Sequence, residues 1–106
     1  MPELKDLVEL ARVTKKVRMW DIDKTLNMVS EVFTEVTPEE LFTIEKVLIE
    51  DEIKAKCLTK RRILELACES YSCDYPPKCT QIACVELSSV VSAKALYEVT
   101  RDLLTL

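Results

Sequence analysis

Between Ile22 and Val36 the apolar side chains fall at Ile22, Leu26, Val29, Phe33 and Val36, a spacing of i, i+4, i+7, i+11 and i+14. An α-helix gathers residues so spaced onto one side, and that side must be covered by another element. The same period recurs along the chain. From about Pro2 to Lys16 it brings together Leu4, Leu7, Val8 and Ala11, with Asp6 and Glu9 facing out and Leu10, Val17 and Trp20 extending the apolar material toward the next element. From Pro38 to about Lys56 it gives Leu41, Ile44 and Leu48, widened by Val47 and Ile49, and near the end it gives Leu96, Val99, Leu103 and Leu106.

Local signals set the boundaries. Thr37-Pro38-Glu39-Glu40 reads as a capping box with proline in the first turn, and Val36 and Leu41 are spaced as a hydrophobic staple. Asp21 or Asp23 caps the helix before it. Thr59 is read as the cap of a fourth helix carrying Ile63, Leu64, Leu66 and Ala67, ending near Tyr71. Residues 72–79 hold Pro76-Pro77 and read as a loop. The apolar run Ile82, Ala83, Cys84 and Val85 fits a short helix or a strand equally well. Ser92 then caps the last helix, with Val91 and Leu96 as its staple. The sequence thus predicts one all-α domain over residues 1–106, a five- or six-helix bundle or orthogonal array, with a helix-turn-helix in the C-terminal half as a further expectation. The chain contains no glycine. Every helix must stop without the usual left-handed glycine, and Asn, Ser, Asp or fraying is expected to substitute.

Composition excludes much chemistry. Without glycine, phosphate-cradling loops of the Walker or dinucleotide type cannot be written, and the absence of histidine removes the commonest general base and metal ligand. No catalytic residue, cofactor, metal or small-molecule substrate is assigned. The hydrophobic content of 48% and charged content of 32% suit an ordinary globular chain. No apolar run reaches the roughly 20 residues that span a bilayer. The first six residues carry Glu3, Lys5 and Asp6 and do not read as a secretory signal, so the expectation is a cytoplasmic protein without a membrane.

Five cysteines are present. A structural zinc would need four thiolates, and no C-x₂-C pair occurs. Cys73 and Cys79 flank the proline turn and form one candidate disulfide; Cys68 and Cys84 form a second, leaving Cys57 free. In an ordinary cytosol all would stay thiols, intracellular proteins of hyperthermophiles being the exception. A cysteine-bearing chain lacking both glycine and histidine suggests a narrow lineage, viral or archaeal.

The net charge of −4 is unevenly spread. Asp21 to Asp51 holds nine acidic and two basic residues, whereas Glu52 to Arg62 holds one acid against Lys54, Lys56, Lys60, Arg61 and Arg62. Lys15, Lys16 and Arg18 form a smaller basic cluster before the acidic block. Opposed patches of this kind steer encounters. The expectation is a non-enzymatic helical interaction or regulatory protein, self-associating as a homodimer or binding a protein partner, with those five basic residues as its patch. Trp20, Phe33, Phe42 and Tyr97 mostly fall on apolar helical stripes and are read as core rather than as a base-stacking platform.

Two local resemblances imply other functions. The stretch from Arg62 to Ala67, a second helix over Gln81 to Leu87 and the helix from Ser92 resemble the first three helices of a winged-helix DNA-binding domain. That resemblance implies a transcription or replication regulator with Lys94, Tyr97 and Arg101 in the major groove. From Ile63 to Leu106, however, acids outnumber bases by six to three, against the demands of phosphate neutralisation. The string Asp21-Ile22-Asp23-Lys24-Thr25 resembles the D-x-D-x-T signature of the haloacid dehalogenase-like phosphohydrolases. It implies a magnesium-dependent phosphohydrolase with Asp21 as nucleophile and Asp23 as acid/base. In that family the motif ends a buried strand, whereas here the charged Lys15, Lys16 and Arg18 precede it, so the residues themselves favour a helix cap.

Overall fold

Four helices form among the described residues: α1 (Leu4–Arg18), α2 (Ile22–Val32), α3 (Pro38–Ala67) and α4 (Ala93–Leu104). The computed structural model describes the backbone of residues 2–67, 87 and 91–104, and the side chains of these apart from 57–67 and 103–104. No strand occurs among them. No helix is long and apolar enough to cross a membrane, again among the described residues.

Among the described residues the expected count of five or six helices is not met, because the helices read over 38–56 and from Thr59 are one. A new helix needs a break in which its capping residue is extended. Residues 56–60 contain neither glycine nor proline, so nothing interrupts the hydrogen-bond ladder and Thr59 lies inside α3. The resulting rod of 30 residues is about 45 Å long. Residues 68–86 and 88–90, which include the expected loop at 72–79 and most of the second helix of the helix-turn-helix, lie outside the described residues.

Helices α1, α2 and α3 pack against one another pairwise, and among the described helices α4 packs on α3 alone. The core takes Leu7 and Ala11 from α1, Ile22 and Val29 from α2, Ile44, Leu48, Ile49 and Ile53 from α3, and Ala95 and Val99 from α4, joined by Leu87. These are the apolar positions of the helical repeat, each burial contributing about 1.5–3 kcal/mol for the larger side chains. Phe33 and Val36 pack against this core from beyond the end of α2. The buried Thr25 donates its hydroxyl hydrogen to the Asp21 carbonyl at 2.9 Å and so leaves no polar group stranded.

The caps are largely those the sequence specifies. Thr37 and Glu40 satisfy each other's backbone: the Glu40 N–H donates to Thr37 Oγ1 at 3.2 Å, and the Thr37 N–H donates to Glu40 Oε1 at 3.0 Å. At α4, Ser92 Oγ accepts from the Ala95 N–H at 3.3 Å. One cap departs from expectation. Helix α1 ends on Met19 at φ 55°, ψ 39°, a left-handed residue in place of the expected Asn, Ser, Asp or fraying. The Trp20 N–H then donates to the Lys15 carbonyl at 3.1 Å, the closing bond of a Schellman turn. A methionine can hold this position because its side chain lies in solvent, so only the backbone strain counts against it.

Candidate interaction surface

Helix α1 has two working sides. The inner side carries Leu7 and Ala11 into the core, and the flank toward α3 is tied by charge. Arg12 makes a bidentate pair with Asp51, Nε to Oδ2 at 2.7 Å and an Nη to Oδ1 at 2.9 Å. One turn further on, Lys15 pairs with Glu52 in a less exposed setting. The Asp51 carboxylate, chiefly by its hydrogen bond and then by its charge, holds the Arg12 guanidinium above its ordinary pKa. These two pairs dock the C-terminal half of α1 on the middle of α3.

Beyond this flank the helix is apolar and uncovered. Leu10, Val13 and Val17 follow one another at i, i+3 and i+7, and they are 40%, 49% and 74% exposed. Sequence reasoning placed Leu10 and Val17 among apolar material leading to the next element and gave Val13 no role. Helical rotation sets their stripe about 160° from the side on which Arg12 and Lys15 reach α3, while Leu7 and Ala11 already fill the space between the helices. Met19, 90% exposed, extends the apolar surface around the end of the helix. Glu9 and Lys16 border the stripe on one side, seven residues apart and opposite in sign. They also help to line a cleft of about 850 Å³ between α1 and α3, together with Val13, Met19, Trp20 and Leu48.

Trp20 closes the end of this surface. Its ring is half-buried and carries the Lys24 ammonium 5.0 Å and the Arg18 guanidinium 5.8 Å from its centroid, contacts worth about 0.5–1 kcal/mol each at an exposed site. A second aromatic, Phe42, is gripped in the same way by Lys46 and Lys94 at 5.0 and 5.1 Å. Beside it the Glu45 carboxylate accepts from the Ser92 hydroxyl at 2.8 Å and from its N–H at 3.2 Å, so that α3 caps α4. Phe33 and Phe42 therefore pack against the core, Trp20 is half-buried under its two cations, and Tyr97 does neither. It stands largely exposed on α4 with Arg101 5.9 Å over its ring, contrary to its reading as core.

All five positions of the basic patch expected at Lys54, Lys56, Lys60, Arg61 and Arg62 fall on the continuous helix α3. Lys54 is exposed and pairs with Glu50 at 2.7 Å; Lys56 is half-buried. The side chains of Lys60, Arg61 and Arg62 lie outside the described residues, as do Cys68, Cys73, Cys79 and Cys84 and the disulfides read into them. Lys94, Tyr97 and Arg101 do share one exposed face of α4. Lys94 is engaged with Phe42, and Arg101 also reaches Asp102 at 3.4 Å.

Asp21 acts as the cap of α2, its Oδ1 accepting from the Lys24 N–H at 2.7 Å, and Asp23 is exposed in the first turn. The segment before them is helix α1, not the strand that the phosphohydrolase motif follows. No group of three or more His, Cys, Asp or Glu side chains suited to a metal occurs among the described residues. Comparison with protein-family models, with curated proteins and with solved structures finds no match to this chain.

Proposed function

We propose that this chain is a non-enzymatic helical interaction module whose working surface is the outer flank of α1. The observation that carries the proposal is the stripe Leu10, Val13 and Val17, uncovered on a helix whose other apolar positions are filled. Exposed apolar side chains scattered singly need no explanation, but a row at helical spacing, bordered by charge, is the form in which a helix offers itself to a protein partner. In the test, the wild-type chain and its Val17→Glu variant are immobilised and the proteins each retains, free copies of the same chain included, are compared. The proposal expects a partner held by the wild type and lost by the variant; identical retention would refute it.

A second reading takes α4 as a DNA-contacting helix, favoured by the common exposed face of Lys94, Tyr97 and Arg101. It requires duplex binding that weakens steeply with salt and is diminished by Lys94→Ala with Arg101→Ala. Absence of a fluorescence-anisotropy change at low ionic strength would dispose of it.

A further inference from the structure

We infer that the partner of the α1 stripe is a second copy of the same chain, docked with its α1 antiparallel across a two-fold axis passing near Val13. The inference rests on the proposed interaction module and names its occupant. A two-fold contact is isologous, so each surface must complement itself. The α1 flank meets that condition in two ways. Its apolar residues are centred on Val13, with Leu10 on one side and Val17 on the other, so reversal places Leu10 of each copy beside Val17 of the other. Its bordering charges are also antisymmetric about the same point. Glu9 lies four residues before Val13 and Lys16 three after it, so each meets its opposite on the second copy.

The polarity extends to the rest of the helix. Its first half carries the acids Asp6 and Glu9 and one base, Lys5, which pairs with Glu3 just before the helix, while its second half carries only bases, Arg12, Lys15, Lys16 and Arg18. In a parallel arrangement these halves would face their own kind, at a cost; the antiparallel one matches them. Arg12 and Lys15 are held by α3, which leaves Lys16 as the cation next to the stripe. A seam of one helix of 15 residues is small, toward the low end of interface sizes below about 1,200 Å². The dimer is therefore weak and concentration-dependent, and sensitive to salt.

Sedimentation equilibrium of the purified chain in reductant, over a wide concentration range, reads the association directly. A monomer–dimer equilibrium is expected, with Val13→Glu raising the dissociation constant more than about tenfold while the helical circular dichroism of the monomer is kept. Val17→Glu serves as a second variant should the first perturb folding. Glu9→Lys and Lys16→Glu should each weaken the dimer by several-fold, and the double exchange should restore it, because it rebuilds both cross-pairs with reversed sign. A chain monomeric up to its solubility limit, or a double exchange no better than the single ones, overturns the antiparallel pairing. Neither outcome touches the broader interaction reading, which fails only if the retention experiment distinguishes nothing between wild type and Val17→Glu.

Discussion

Replacing Met19 by glycine should stabilise the protein, and the size of the effect follows from the cap. Met19 adopts φ 55° at the close of α1, where an L-residue with a Cβ carries about 1–2 kcal/mol of steric strain. Glycine carries none, but its freer unfolded chain takes back about 0.5–1 kcal/mol. The side chain lost contributes little packing, being 90% exposed. The net gain expected for Met19→Gly is about 0.5–1 kcal/mol, or a rise of about 2–6 °C in Tm for a domain near this size. Met19→Ala separates the two contributions, since it removes the thioether while keeping the Cβ and the strain, and should leave stability nearly unchanged. Met19→Val, β-branched in a left-handed position, should fall below the wild type. Urea denaturation followed by far-UV circular dichroism, in reductant to keep the five cysteines as thiols, reads all three variants. If Met19→Gly proved no more stable than Met19→Ala, the strain assigned to this cap would be wrong.

Two further outcomes test the contacts that hold the helices together. Lys15→Ala leaves Glu52 partly buried without its partner and should cost about 1–2 kcal/mol in urea unfolding, whereas Lys15→Met with Glu52→Leu should recover most of the loss; a single variant as stable as wild type would show the pair to be idle. Glu45→Ala removes the α3 cap from α4, so amide exchange within α4 should quicken by several-fold while α1 and α2 keep their protection; uniform loss across all four helices would mean that α4 does not open on its own.

The elements most legible in the sequence were those in which local chemistry and the apolar period agree. Thr37 and Glu40 bracket a helix start that needs no tertiary information, and Ile44, Leu48 and Ile49 point inward as their spacing requires. Asp21 was open to two readings, and the absence of an apolar strand before it pointed to the cap that is observed. Thr59 misled because a residue able to cap a helix is also tolerated within one, and only a competing break decides between the two. The stripe on α1 was hidden for another reason. Leu10 and Val17 look like core material until the packing of α1 on α3 is known, and that packing joins Leu7, Ala11, Arg12 and Lys15 to residues more than 30 positions away.

Those same pairs change the meaning of the charge pattern. Along the chain, a basic cluster before an acidic block reads as a pair of surfaces awaiting partners. In the folded protein much of it is spent internally: Arg12 on Asp51, Lys15 on Glu52, Lys54 on Glu50, and Lys24 and Arg18 on the face of Trp20. Exposed pairs of this kind contribute little stability, so the burial of Leu7 and Ala11 turns α1 toward the core, and Arg12 and Lys15 add to it the side that meets α3. Together they leave Leu10, Val13 and Val17 on the outside. The partner proposed for that stripe would thus depend on the pose of α1 as well as on the stripe itself. Reversal of Asp51 and Glu52 to lysine, which sets like charges against Arg12 and Lys15, should accordingly raise the dissociation constant of the proposed dimer in sedimentation equilibrium, even though neither residue belongs to the stripe; an unchanged constant would show that the stripe acts without these pairs.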